Sequence, residues 1–401
     1  MALINGHANG ITASDIKLAR KNGVMSNGTH NGLDNKKPII NFNPGPAKID
    51  PSVLLRAQAE ILNFQQLGIS VMEMSHRSAD FAKILNGAKA TLTQLLNIPE
   101  NYKILFLQGG ATAQFSAVPL NLLQRSPNCS ADYIVTGTWS AKAVKEAQKY
   151  GKVHIVHQPL EKYSRVPEQE EFDLDPEAAY VYYCDNETVN GVEFSYVPDT
   201  GNVPLVADMS SNILSKPVDV SKFGIILAGA QKNIGCAGVT LAIIREDLVG
   251  YCMKQCPTIL DYKIQIGMDS LYNTPPSYSI YLMGLVLEWI QNTGGLLSMA
   301  KKCVLKSQLV YSAINESNGF YSCAIEDGSR SRMNVTFRID GPAGDSELEN
   351  AFIEESKAAN MIGLKGHRSV GGIRASLYNA VTLEETQFLV NLMMDFQRRH
   401  S

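Results

Sequence analysis

Several features are scarce in this 401-residue chain, and each absence narrows the field. Its longest apolar stretch, Ile280 to Leu287, stops at Glu288 and is too short to cross a bilayer. Neither sign of charge is in excess, with 36 Lys+Arg against 39 Asp+Glu, so the balance calls for no nucleic acid and no anionic membrane. The seven cysteines include no CxxC pair, and no histidine lies near the closest two, Cys252 and Cys256. That spacing argues against a disulfide framework or a zinc site, so no metal is expected and the thiols read as reduced, in a cytoplasmic protein. The first 37 residues have few large apolar side chains and repeated Asn-Gly pairs. They contain no apolar core for a secretory signal and too few arginines for a mitochondrial presequence. They read as a disordered tail, with 11–21 as a short amphipathic helix at most.

What remains is ample for a large core. Hydrophobic residues make up 45% of the chain, and its length suggests two or three domains. From Pro51 onward, helical spacing alternates with short apolar runs. Helices are expected over 53–64, 80–96, from 113 and over 140–150. Strands are expected over 103–107, 131–135, 153–156, 179–183, 203–207, 224–228 and 239–244. This alternation predicts an α/β fold with a mostly parallel sheet. A long helical pattern from Tyr278 to Ile290 breaks at Asn292-Thr293-Gly294-Gly295, a natural hinge. Beyond it, a helix over 296–315 and strands near Tyr321, 333–337 and 372–376 predict a smaller α+β domain. The expected division is 49–293 for a large domain, with 38–48 and 294–401 forming a small one.

Ligands in such sheets gather at the carboxyl ends of the strands, and the chemically suggestive residues fall there. Phe223-Gly224-Ile225-Ile226-Leu227 reads as a buried strand delivering Lys232 from Ala228-Gly229-Ala230-Gln231-Lys232-Asn233. A lysine at a strand end is ordinarily a solvated charge. In a cramped, partly dry place its charged form is disfavoured, which suits an amine that makes a Schiff base with an aldehyde cofactor. Asp208 ends the strand 203–207, where a carboxylate can hold a proton on a pyridine nitrogen, although such residues often only cap helices. Gly109-Gly110-Ala111-Thr112 joins a strand to a helix start able to cradle a phosphate. Trp139 follows a strand directly and can stack on a flat ring or simply fill core. Thr188 can donate to a ring oxygen. Together these point to pyridoxal 5'-phosphate. A cationic group, His76 and Arg77 with His367, Arg368 and Arg374, lies in Gly- and Ser-rich surroundings and suits a substrate with more than one negative group.

From about Ile39 to the carboxyl terminus, the chain resembles the phosphoserine aminotransferases, a class V, fold-type I family of pyridoxal-phosphate enzymes. The resemblance rests on Phe42-Asn43-Pro44-Gly45-Pro46, Val71 to Arg77, Ala207-Asp208-Met209-Ser210-Ser211, Ala228 to Asn233, Tyr272-Asn273-Thr274-Pro275-Pro276, and Gly366 to Ser376. It implies a seven-stranded, mostly parallel sheet in the large domain. It implies that Lys232 carries the cofactor and that Asp208 faces the ring nitrogen. Trp139 would stack on the ring, Thr188 and Gln231 would hold its substituents, and Ala111 and Thr112 its phosphate. Asn273 and Thr274 would reach that phosphate from a second subunit, so a homodimer with shared active sites is implied. Arg374 would anchor the substrate α-carboxylate, and His76, Arg77, His367 and Arg368 its distal anion. The implied reaction is ping-pong transfer of the amino group from L-glutamate to 3-phosphohydroxypyruvate, giving O-phospho-L-serine and 2-oxoglutarate in L-serine biosynthesis. The alternative is another class V enzyme such as a cysteine desulfurase. Those stack a histidine where this chain has Trp139, and need a mobile-loop cysteine. One departure stands out: the family's phosphate loop is richer in glycine than Gly110-Ala111-Thr112-Ala113, and alanine resists positive φ, so a stiffer cradle is expected.

Overall fold

The computed structural model describes residues 38–160 and 162–401, so the amino-terminal tail and its short helix lie outside the described residues. The central sheet has seven strands. In spatial order they are Tyr102–Leu107, Thr240–Arg245, Ile225–Gly229, Leu205–Asp208, Val181–Cys184, Ser130–Tyr133 and Lys152–Ile155. Thr240–Arg245 runs antiparallel to both neighbours, and the remaining pairs are parallel. Six strands therefore point one way, and their carboxyl ends share one edge of the molecule.

The central strands form because their residues are apolar on both faces. Every residue of Ile225–Gly229, Leu205–Asp208 and Val181–Cys184 is buried, as expected for a sheet covered by helices on each side. One face packs under Ala79–Leu96 and Ser277–Asn292, with Phe81, Leu85, Leu92 and Met283 in the core. Ser78 caps the first of these helices, its hydroxyl accepting from Phe81 N at 3.2 Å. The other face packs under Gly110–Leu122 and Thr138–Ala147, around Phe115, Val118 and Tyr182.

A second body of structure holds a three-stranded antiparallel sheet, Tyr321–Ser322, Asn334–Ile339 and Ile373–Ser376. The helices Gly295–Asn315, Ser346–Ala358 and Leu383–His400 supply much of its apolar core, which includes Leu309, Phe337, Phe352 and Phe396. Ile40–Asn41 returns to pair in parallel with Met361–Ile362. Gly294 and Gly295 take left-handed φ values of 99° and 64°, the conformations the Gly-Gly break anticipates. The strands lie within two residues of their expected positions. The helices Ser346–Ala358, Leu383–His400 and Tyr262–Gly267 and the hairpin of Asn186–Glu187 with Val192–Glu193 add to the expected elements.

Candidate active site

The strand ends converge on a cavity of about 320 Å³ whose lining includes Lys232, Asp208, Trp139, Thr188, Gln231 and Arg374. Strand Ile225–Gly229 is wholly buried, so its turn at Ala230 has little freedom to carry Lys232 elsewhere. Lys232 Nζ donates to Thr188 Oγ1 at 2.9 Å. Burial pulls the amine's pKa below the usual lysine value, opposed chiefly by the charge of Asp208. Gly45 closes over the side chain: a Cβ there would stand 3.3 Å from Lys232 Cγ, at a backbone φ of 135°.

Asp208 is buried and fixed through one oxygen. Its Oδ1 accepts from Ser210 N at 2.9 Å and Ser210 Oγ at 2.6 Å, while Ser210 Oγ accepts from Gly229 N at 2.9 Å. This latch ties Asp208 to the strand that delivers Lys232. Oδ2 has no such partner among the described residues, so the carboxylate keeps an acceptor for an N–H in the cavity.

Trp139 is held by a residue that sequence reading gave no role. Glu187 is completely buried, and its carboxylate accepts from Trp139 N at 2.9 Å, Ser140 N at 2.8 Å and Ser140 Oγ at 2.6 Å. It caps the helix Thr138–Ala147 from outside that helix, and burial raises its pKa against those bonds. Gly137 makes room for it, since a Cβ there would fall 2.3 Å from Glu187 Cδ. The only local signal was its place between Asn186 and Thr188, in a polar run following an apolar strand.

The helix expected from 113 starts three residues earlier, at Gly110. Gly110–Leu122 begins at the end of Tyr102–Leu107, and Gly110, Ala111 and Thr112 line the cavity. Positive φ occurs at Gly109 and Gly110, at 94° and 67°, and not at Ala111, Thr112 or Ala113, which are helical. The stiffer cradle expected from the two alanines therefore has no backbone cause: glycine occupies the positions that need it. The first N–H groups of the helix lack intrahelical acceptors, and the residues that carry them line the cavity.

The cations divide. Arg374 is buried, with Nη1 donating to Thr188 O at 3.1 Å and Nε without a partner among the described residues. Burial lowers its pKa. His367 also lines the cavity, and its pKa falls through burial and then through Arg374, Arg368 and Lys142. Arg368 is exposed beside it. His76 and Arg77, half-buried and exposed respectively, are not part of the cavity wall, nor are the exposed Asn273 and Thr274. These last two meet Gln108, whose Nε2 donates to Asn273 Oδ1 at 3.3 Å and Thr274 O at 3.2 Å.

The donor set fits pyridoxal phosphate. It offers an amine of lowered pKa, a carboxylate with an open oxygen, an indole wall and a helix start for the phosphate. Two buried donors, Trp139 Nε1 and Arg374 Nε, have no protein partner among the described residues. No cluster of metal-ligating side chains occurs among the described residues.

Comparison with known proteins gives the same direction. Residues 39–389 match the family described as Aminotransferase class-V. The phosphoserine aminotransferase of Drosophila melanogaster is 57% identical over 363 residues, covering 90% of this chain and 99% of that protein. The solved phosphoserine aminotransferase from Bacillus circulans subsp. alkalophilus superposes with a TM-score of 0.88 at 45% identity, covering 91% of this chain and 100% of that one. A PLP-bound phosphoserine aminotransferase from Trichomonas vaginalis superposes with a TM-score of 0.85 at 40% identity, covering 89% and 99%.

Proposed function

The chain belongs to the class-V aminotransferase family, and from that premise we propose the assignment of its residues to the reaction. It is a pyridoxal-phosphate enzyme with the fold-type I architecture, and it transfers the amino group of L-glutamate to 3-phosphohydroxypyruvate, yielding O-phospho-L-serine for L-serine biosynthesis. One observation supports the assignment above others: the amine of Lys232, the carboxylate of Asp208 and the ring of Trp139 share one cavity.

Bound pyridoxal phosphate supplies an aldehyde to take up the amino group and a ring that withdraws electrons from the substrate α-carbon. The chain's own groups do the rest. Lys232 would hold the cofactor. Its Nζ, of lowered pKa, is the group placed to take the substrate α-proton and to return one. Asp208 Oδ2 would keep a proton on the ring nitrogen. Trp139 would cover the ring, and Thr188 and Gln231 would hold its substituents. Ala111 and Thr112 would hold the phosphate at the helix start. Arg374 anchors the α-carboxylate with its unpartnered guanidinium edge. His367 and Arg368 meet the distal anion, which is a carboxylate in one half-reaction and a phosphate in the other.

Asn273, Thr274, His76 and Arg77 are assigned to the neighbouring active site of a homodimer. Their positions outside the cavity of their own chain support this. So does the exposure of large apolar residues close to them in sequence, Met72, Met268 and Tyr272 at 57%, 50% and 45%. Among the described residues no helix is long and apolar enough to cross a membrane. All seven cysteines are free, which supports a cytoplasmic setting. The test is a glutamate-dependent assay with 3-phosphohydroxypyruvate, read with the visible spectrum of the cofactor. Glutamate bleaches the bound cofactor and cysteine does not. A cofactor that responded to cysteine alone would overturn the assignment.

A further inference from the structure

Lys142 lies in the helix that Trp139 opens, at a position where an exposed lysine attracts no notice in the sequence. Its Nζ lies over the Trp139 ring, 4.2 Å from the centroid. A lysine in a helix normally draws on a carboxylate one turn away. Here that residue is Glu146, and Glu146 is taken: it accepts from Lys149 Nζ at 2.6 Å and from Ser116 Oγ at 2.7 Å. Lys142 has no hydrogen bond or ion pair among the described residues. A cation there is held by the indole face and repelled by its surroundings.

Those surroundings are cationic. Lys142 is close enough to His367 for its charge to depress that histidine's pKa, together with Arg374 and Arg368. Arg374, Arg368 and Lys142 all lack a carboxylate partner among the described residues. Arg374 and His367 line the cavity, and Lys142 and Arg368, outside that lining, act on His367 by charge; cations of one sign without carboxylate partners favour an anion beside them. A phosphate monoester carries nearly twice the charge of a carboxylate at neutral pH, so an added cation favours the phosphorylated substrate over glutamate.

We propose that Lys142 is a specificity-determining residue that meets the phosphate of the phosphorylated keto acid while packed on Trp139. This rests on the aminotransferase reading above. In the holoenzyme, Lys142→Gln raises KM for 3-phosphohydroxypyruvate by roughly three- to fivefold, the upper part of the range of one exposed charge pair. The KM for L-glutamate changes less than twofold, and Lys142→Arg restores the first value. A second readout is independent of turnover: calorimetric binding of inorganic phosphate to the holoenzyme weakens by a similar factor in Lys142→Gln. Its dependence on ionic strength becomes shallower. Equal phosphate affinity and an unchanged ratio of the two KM values in Lys142→Gln would overturn the proposal. A wild-type enzyme inactive on 3-phosphohydroxypyruvate would instead refute the substrate assignment, and the phosphate titration would still decide the role of Lys142.

Discussion

Lys232 and Lys306 both carry amines whose pKa burial holds below the usual lysine value, Lys306 at about 8. Lys232 Nζ faces a cavity and has one hydroxyl partner, Thr188 Oγ1. Lys306 lies in the helix Gly295–Asn315 and is 1% exposed. Its Nζ donates to the carbonyls of Leu377, Tyr378 and Val381 at 2.8, 2.6 and 2.8 Å. All of its donors are in use, and no cavity opens on it among those described. The difference teaches that a depressed pKa does not by itself make a nucleophile. Reactivity requires an amine that is dry, incompletely bonded and reachable. Lys306 spends its charge on structure: it gathers the chain just past Arg374, where Asn379 N donates to Asn233 Oδ1 beside Lys232.

Substitution should separate the two roles. Lys232→Ala is expected to abolish the visible absorbance of the bound cofactor and to lower turnover by about 10⁴-fold. Its unfolding free energy should stay within about 1 kcal/mol of wild type, measured by denaturant titration. Lys306→Met should do the converse. It leaves three carbonyls short of a donor and costs roughly 2–4 kcal/mol of stability, while the lysine at 232 still takes up the cofactor. If Lys306→Met lost its cofactor without losing stability, the contrast would fail.

A smaller change sharpens the picture at Trp139. Glu187→Gln trades one acceptor for a donor that faces backbone N–H groups, and should cost about 1–3 kcal/mol. It should also loosen Trp139, read as tryptophan emission in a Trp289→Phe background. Unchanged emission would dismiss Glu187 as the support of that ring.

The two lysines also differ in how pH reports on them. Below pH 8, Lys306 is charged in the folded and unfolded chain alike. Between about 8 and the ordinary lysine value near 10.4, the folded state has released a proton that the unfolded state keeps. Wild type therefore gains stability over Lys306→Met as pH rises through that window. A flat difference would show the amine to be charged throughout. The smallest effect belongs to Thr188→Val, which removes a single neutral hydrogen bond to Lys232 and should slow turnover by about tenfold or less.

Much of this was legible in the chain itself. Strands such as Ile225–Gly229 announce themselves because both faces are buried, so the apolar run is unbroken. Asp208, Lys232 and Trp139 followed from the rule that strand ends bear ligands. Other features depend on distant partners. The hairpin at Asn186–Glu187 and the pairing of Ile40–Asn41 with Met361–Ile362 involve two residues per strand, too few for a period to show. Glu187 caps a helix that begins far from it in sequence, so no local capping pattern exists. Lys306 sits between Leu305 and Ser307 in its helix, and only the fold brings three carbonyls to it. The helix Leu383–His400 is a different case: its Thr382–Glu385 capping box and its apolar spacing at 389, 390, 393 and 396 are visible in the chain.

Borohydride reduction of the holoenzyme, followed by peptide mapping, tests most directly whether Lys232 is the reactive amine and Lys306 the silent one. The cofactor mass should be found on the peptide containing Lys232, and the peptide containing Lys306 should be unmodified. Cofactor fixed to Lys306 or to any lysine other than 232, or no fixation at all, would contradict the account.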